Sequence, residues 1–115
     1  MTKIENDCIL IENRKEIVKI SFSDVNYLES GSRKVFIHTE DGVHWEYGKL
    51  DDIARLFPEN FFRSHKRCLI NLDKVDKLEK NTVHFHNGET VEMCKEKYSL
   101  TKQAYKGYMI RIFTL

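Results

Sequence analysis

The chain has few of the features that mark specialised classes of protein. Its 115 residues include one proline and five glycines, without a Pro-, Gly- or Ser-rich tract, which argues against a disordered or low-complexity chain. No apolar run reaches the length of a membrane span, and residues 1–15 hold none long enough for a signal sequence. Its cysteines, Cys8, Cys68 and Cys94, are widely spaced and odd in number, and no N-x-S/T sequon occurs. These absences predict a cytoplasmic protein with unpaired thiols and no membrane contact.

An excess of one charge sign is also missing. Lysine and arginine number 19 against 18 aspartates and glutamates, so the formal net charge is +1. A nucleic-acid-binding protein with this balance must gather its cations locally. The length and the 41% hydrophobic content predict one globular domain over residues 1–115.

Most of the chain alternates with a period of two, which is typical of β-strands. In residues 16–22, Val18, Ile20 and Phe22 share one face, and the same alternation recurs in residues 35–38, 83–86 and 91–94. β-Branched and aromatic residues dominate these runs, as strands prefer. The pattern predicts a mainly β fold, without the strand–helix alternation of parallel sheets.

Two hairpin turns are predicted, at 40-EDG-42 and 87-NGE-89. A two-residue Asp-Gly loop at the first turn would place Glu46 opposite Ile37. A three-residue loop places Trp45 there instead and leaves Gly42 free to take a positive φ, so we expect that register. The same argument at the second turn gives two expected pairs, Phe85 with Val91 and Val83 with Met93.

Two short helices are predicted. In 48-GKLDDIARLF-57 the apolar residues lie on one stripe, acidic residues occupy the first turn, and Pro58 ends the helix. The second helix is expected over residues 96–106, with Leu100 and Ala104 one turn apart and Gly107 as a C-terminal stop. Residues 109–115, short and apolar, are expected to form a last strand.

Catalytic and metal-binding patterns are weak. The sequence has no glycine-rich phosphate loop and no nucleophile elbow. Cys68 follows His65 by three residues, but a small buried cysteine explains the pattern better than a nucleophile. His84, His86 and Cys94 lack the tight ligand spacing of zinc sites, and solvent-facing histidines explain them more simply. We therefore predict no enzymatic activity, no metal and no cofactor.

Basic residues gather at three places that the strand prediction leaves outside regular structure. They are Arg33-Lys34 after the turn Ser30-Gly31-Ser32, residues 63–67, and Lys95 with Lys97. Lysine and arginine reach phosphates, arginine can read guanine edges, and loops on a rigid sheet can present both. Solvation of loop tips explains any single cluster. The three clusters together favour a nucleic-acid-binding function modestly. The nearby negative charges of Glu29 and Glu96 weaken that indication.

Linked motifs resemble one known family. The block 62-FRSHKRCLINLDKV-75 resembles the signature F-x-R-x-H-R-S-x-[IVL]-[IV]-N-[LI]-x-x-[IV] of LytTR-type DNA-binding domains, with one residue fewer between Phe62 and Arg63. Upstream, SFSDVNYLESGSRKVFIHTEDG and KLDDIARLFPENFFRSH are similar to the strand, basic-loop and helix elements of that family. NGETVEM follows in the same order, so the resemblance covers residues 8–107 approximately.

The resemblance implies an elongated fold of small packed, mostly antiparallel sheets with two short helices. It also implies a bacterial transcription regulator that binds double-stranded DNA sequence-specifically, through inter-strand loops in successive major grooves and usually at paired direct repeats. The implied DNA-binding residues are Ser32, Arg33 and Lys34 in the first loop, Arg63, His65, Lys66 and Arg67 in the second, and Lys95 with Lys97 in the third. Leu69, Ile70 and Leu72 would anchor the second loop, and Asn71 is expected to cap local backbone.

Some features depart from the family or stay open. Arg67 stands where the family usually has serine, and Glu96 in the third loop would repel phosphate. Many members carry a receiver domain that this sequence lacks, so it is either a stand-alone regulator or an output domain. Target sequence, regulatory sign and binding as a homodimer are also open. The alternative function is a non-catalytic interaction or adaptor module whose loops bind an acidic partner protein.

Overall fold

A computed structural model describes residues 3–114. Its strands are β1 (Ile4–Glu5), β2 (Cys8–Glu12), β3 (Ile17–Ser21), β4 (Val25–Gly31), β5 (Lys34–Thr39), β6 (Gly42–Tyr47), β7 (Phe61–His65), β8 (Cys68–Asn71), β9 (Val75–Glu79), β10 (Thr82–Phe85) and β11 (Thr90–Glu92). The α-helices are α1 (Leu50–Ala54) and α2 (Lys95–Phe113). Single 3-10 turns, Phe22–Asp24 and Leu72–Lys74, lead into β4 and β9.

The strands form three antiparallel sheets. A central five-stranded sheet has the order β6-β5-β4-β8-β7, and three-stranded sheets are formed by β1–β3 and by β9–β11. Every recorded strand pair is antiparallel. The prediction of a mainly β, antiparallel fold with two helices is therefore confirmed, and the molecule measures 39 × 34 × 24 Å.

The central sheet separates two hydrophobic cores. On one face, Leu28 and Leu69 pack with buried residues of β2, β3 and α1. On the other face, Tyr27 and Ile70 pack with residues of β9, β10 and α2. All residues of β8 are buried, which explains the unbroken apolar run that follows the charged segment.

The first hairpin has a different register from the one predicted. Thr39 pairs with Gly42, so the loop is Glu40-Asp41, and Ile37 faces His44 instead of Trp45. The matching of apolar partners was the wrong criterion, because neither His44 nor Trp45 belongs to a hydrophobic core. Nδ1 of His44 lies 2.9 Å from Oε2 of Glu16, in the connection between β2 and β3.

The second hairpin is shifted by two residues. Val83 pairs with Val91, and the amide of Phe85 donates to the carbonyl oxygen of Glu89 at 2.9 Å, so the predicted pairs are wrong. A shift of two keeps each side chain on its face. Val83 and Phe85 are consequently buried, as the alternation indicated.

The predicted C-terminal strand is wrong. Helix α2 continues through Gly107 to Phe113, while Leu115 lies outside the described residues. Tyr105 and Tyr108 pack on the second core and hold the helix to the sheet, so α2 has 19 residues and is not short.

The predicted capping role of Asn71 is confirmed. Its Oδ1 accepts a hydrogen bond from the amide of Asp73 at 3.0 Å, and its Nδ2 donates to the carbonyl oxygen of Val25 at 2.8 Å. Asn71 thus ties the end of β8 to the start of β4.

Within residues 3–114, neither helix combines the length and hydropathy needed to span a membrane.

Candidate nucleic-acid interface

The first basic segment is the tight turn between β4 and β5. Ser32 and Arg33 form its two central positions, with φ of +53° and +63°, while Gly31 pairs with Lys34. Both values belong to the type I′ turn, whose twist suits a hairpin but which disfavours side chains as large as arginine. The amide of Gly48 donates to the carbonyl oxygen of Arg33 at 3.0 Å. The turn therefore holds an exposed arginine at its tip.

Lys34 lies on an aromatic surface beside this turn. Its Nζ is 4.2 Å from the ring centroid of Trp45 and 5.6 Å from that of Tyr47. An ammonium over an aromatic face is stabilised by the ring quadrupole. Lys34 is consequently directed along the sheet, whereas Arg33 projects from its end.

The second basic segment is shorter than the predicted loop. Arg63 and His65 belong to β7 and pair with Leu69 and Cys68, with a register shift between them. Only Lys66 and Arg67 form the turn. The prediction that residues 63–67 lie outside regular structure is wrong because strand pairing continues to His65.

The turn is fixed at both ends by hydrogen bonds. The amide of Arg67 donates to Nδ1 of His65 at 3.1 Å, and the amide of Ser30 donates to the carbonyl oxygen of Arg67 at 2.9 Å. Arg63 donates through Nε to the carbonyl oxygen of His65 at 3.0 Å and through Nη2 to that of Lys66. The side chains of Lys66 and Arg67 are exposed.

The third basic segment is a helix start and not a loop. Lys95 and Lys97 occupy the first turn of α2, for which Cys94 is the N-cap residue. Lys95 is exposed, and Nζ of Lys97 lies 4.0 Å from Oε1 of Glu96. Strand β11 ends at Glu92 and α2 begins at Lys95, so only Met93 and Cys94 separate the strand from the helix.

Two adjoining grooves bring the three segments together. One, of about 380 Å³, lies between the first hairpin, the start of α1 and the β7–β8 turn. The other, also about 380 Å³, lies between that turn and the start of α2. Ser30 and Arg67 line both grooves. The predicted site residues accordingly line one continuous edge, apart from Lys95, which lines neither groove but is adjacent to Cys94 in the second.

The sequence profile of the LytTr DNA-binding domain matches residues 15–106. The chain belongs to the LytTr DNA-binding domain family. The recognition made from the sequence motifs is thereby confirmed.

Curated relatives and a solved structure agree with this family. The transcriptional regulatory protein YpdB is 26% identical over 76 residues in Escherichia coli K12 and in Shigella flexneri, and each match covers 65% of this chain. The matched stretch spans only 31% of those proteins. The LytTr DNA-binding domain of a Bacillus cereus protein, described as a methyl-accepting/DNA response regulator, superposes with a TM-score of 0.67 at 20% identity. The superposition covers 96% of this chain and 100% of that one, and it shows the shared fold.

In this LytTr domain, two contributors to the first groove escaped the sequence analysis. Lys49 lines the groove as an exposed cation just before α1, and Asp51 lines it from the first turn of that helix. The acidic first turn was visible in the sequence as a helix signal. Its proximity to the charged segment depends on the packing of α1 beside the sheet, which no local pattern reveals.

The other chemical candidates are placed as follows. Cys68 is buried, and burial raises the pKa of its thiol to about 11, which disfavours the thiolate that a nucleophile needs. Nε2 of His86 lies 3.2 Å from Oε1 of Glu40. Within residues 3–114, no three side chains among His, Cys, Asp and Glu are grouped so that they could hold a metal ion.

Proposed function

We propose that this LytTr domain binds double-stranded DNA sequence-specifically and regulates transcription without catalysing a reaction. The observation that carries the proposal is the edge formed by the two hairpin turns and the start of α2, here called the basic edge, with Ser30 and Arg67 common to both grooves. Six lysines and arginines and one acid, Asp51, line the first groove. In the second groove, Glu29 and Glu92 lie beside Arg67 and Lys97. The net charge of the chain is only +1, yet exposed cations are concentrated on one edge. Such local gathering is what phosphate binding requires.

The turns supply the reach that base recognition needs. Arg33 and Lys66 stand at hairpin tips, and the B-DNA major groove, about 12 Å wide, admits a two-stranded β-ribbon. We assign base contacts to Arg33, Lys66 and Lys95. Ser32, Lys34, His65, Arg67 and Lys97, which surround them, are assigned to phosphate and sugar contacts.

The dimensions of the domain support contact with successive major grooves. Its longest extent is 39 Å, and one helical turn of B-DNA spans about 34–36 Å. The domain as a whole is therefore about as long as one turn of the duplex. We further propose that copies occupy paired direct repeats, each copy making the same contacts.

The test begins with selection of bound sequences from a random duplex library, followed by fluorescence anisotropy on the selected site and a scrambled site. Replacing Arg33 or Lys66 by alanine should weaken specific binding by about 1–3 kcal/mol each. Lys19→Ala is the matched control, because Lys19 is an exposed cation on β3 that lines neither groove of the basic edge.

Equal affinity for selected and scrambled duplexes would contradict sequence-specific binding. Failure to bind any duplex at low salt, together with Arg33-dependent binding of an acidic protein, would favour the adaptor function. Both measurements must be made at a stated salt concentration, because phosphate contacts make the affinity strongly salt-dependent.

A further inference from the structure

Arg63 differs from Lys66 and Arg67, the two cations of the adjacent turn. Its side chain is 31% exposed, whereas those of Lys66 and Arg67 are exposed. It also has an acidic partner: Nη2 donates to Oδ1 of Asp51 at 2.7 Å. Since Asp51 belongs to α1, the ion pair connects the helix to the second hairpin.

The same guanidinium contacts the backbone of the turn. Its Nε donates to the carbonyl oxygen of His65 at 3.0 Å, and its Nη2 donates to that of Lys66. A planar guanidinium carries its donors in a fixed fork, so a carboxylate that holds Nη2 also sets the direction of Nε. Asp51 thus fixes the guanidinium, which in turn fixes the two carbonyl groups on the N-terminal side of the turn.

We propose that Asp51 and Arg63 form a positioning pair that holds the Lys66-Arg67 turn in its DNA-binding conformation, and that Arg63 is not itself a phosphate ligand. This proposal rests on the proposed function of the turn as a DNA contact. It assigns an acidic residue a favourable role on a surface that binds a polyanion.

The competing role of Arg63 makes the opposite prediction for Asp51. If a phosphate replaced Asp51 as the partner of Arg63, the carboxylate would oppose DNA binding, and its removal would tighten the complex. If Asp51 positions Arg63, its removal loosens the turn and weakens the complex. The sign of the change therefore distinguishes the two roles.

The experiment compares Asp51→Ala with Asp52→Ala. Both acids are exposed and lie in the first turn of α1, so each variant removes one negative charge from the same helix end. Among the ion pairs of the described residues, Asp51 takes part in one and Asp52 in none. We expect Asp51→Ala to weaken binding of the selected duplex about fivefold, and Asp52→Ala to leave it unchanged or tighten it.

Arg63 itself supplies the second readout. Arg63→Lys keeps the charge and loses the fork, so it should weaken binding as much as Arg63→Ala does. Neither variant should change the slope of log affinity against log salt. A fall of about one in the magnitude of that slope for Arg63→Ala, with retention of affinity in Arg63→Lys, identifies a phosphate ligand and overturns the proposal.

A measurement without DNA separates this proposal from the proposed function. The backbone amide resonances of Lys66 and Arg67 should shift, and their hydrogen exchange should accelerate, in Asp51→Ala and not in Asp52→Ala. If the wild-type domain binds no duplex, the proposed function fails, while this comparison still tests the pair. Unchanged resonances in Asp51→Ala overturn the positioning role.

Discussion

The backbone amide of Ser30 donates a hydrogen bond to the carbonyl oxygen of Arg67 at 2.9 Å, and this bond joins the first basic hairpin to the second. The bond uses only main-chain atoms. The side chain of Arg67 is therefore free to contact phosphate while its backbone sets the distance between the hairpins. Arg67 stands where the family resemblance leads one to expect serine, so it adds a cation at this junction.

Replacement of Arg67 by alanine should leave the junction intact and remove the phosphate contact proposed for its side chain. We expect the slope of log affinity against log salt to fall in magnitude by about one, with similar losses on selected and scrambled duplexes. Anisotropy titrations at several salt concentrations measure this slope. Lys19→Ala should leave it unchanged, and an unaltered slope in Arg67→Ala would remove Arg67 from the phosphate contacts.

Local patterns predicted the elements that depend on local chemistry. Val35 and Ile37 alternate with less buried residues along β5, and burial of one face follows directly from that spacing. Leu50 and Ile53 are buried as the helical stripe required. Phe57 is also buried, but it lies beyond α1, which ends at Ala54 and not at Pro58 as predicted. Asn71 caps the 3-10 turn because its short amide side chain reaches the backbone two residues on.

Features that depend on distant packing were not predictable in this way. In the observed register of β6, His44 contacts Glu16 of the β2–β3 connection, and no apolar matching within the hairpin reveals that partner. The place of Arg63 likewise depends on Asp51, which is 12 positions away in sequence. The basic edge could be predicted as three clusters, but its continuity required the fold.

The course of α2 gives a prediction that compares two glycines. Gly107 lies within the helix, and apart from the adjoining helix backbone a Cβ added there would have no atom within 4 Å. Gly107→Ala should therefore stabilise the domain by about 0.5–1 kcal/mol, since alanine has the higher helix propensity. If Gly107 ended the helix in a left-handed conformation, the same substitution would destabilise it.

Gly42 serves as the matched control for this comparison. Its φ of +137° is a backbone conformation that side chains rarely adopt, although the space around it is open. Gly42→Ala should destabilise by about 1–3 kcal/mol. Urea unfolding of both variants measures the two changes, and a loss of stability in Gly107→Ala would contradict the continuous helix.

The contact between Lys34 and Trp45 should be measurable as a coupling energy. Their separation of 4.2 Å, at a partly exposed site, predicts about 0.5–1 kcal/mol of interaction beyond the separate burial of each side chain. A double-mutant cycle with Lys34→Met and Trp45→Leu isolates this term by urea unfolding. The matching cycle with Tyr47→Leu should give a smaller coupling, because Nζ lies 5.6 Å from that ring. Additive effects in the Trp45 cycle would contradict the cation–π contact.

Glu89 connects the β10–β11 hairpin to the central sheet. Its Oε1 accepts a hydrogen bond from Nδ2 of the fully buried Asn26 at 2.7 Å, and its Oε2 lies 3.3 Å from Nδ1 of His38. Burial alone would raise the pKa of Glu89. Hydrogen bonds from Asn87 and Asn26 and the charge of His38 outweigh that effect and lower the pKa below its ordinary value of 4.5.

A lowered pKa in the folded state sets the direction of the pH dependence. The ionised carboxylate stabilises the fold above pH 4.5, and this contribution is lost as the pH falls through the lower folded-state value. Glu89→Gln keeps an acceptor for Asn26 and cannot titrate. Its unfolding free energy should therefore fall less than that of the wild type between about pH 5 and pH 3, measured by urea unfolding. Starting at about pH 5 keeps most histidine titration, ordinarily centred near 6.5, out of the comparison. Glu92→Gln on the exposed side of β11 should resemble the wild type, and an equal acid sensitivity of Glu89→Gln would show that Glu89 does not carry the effect.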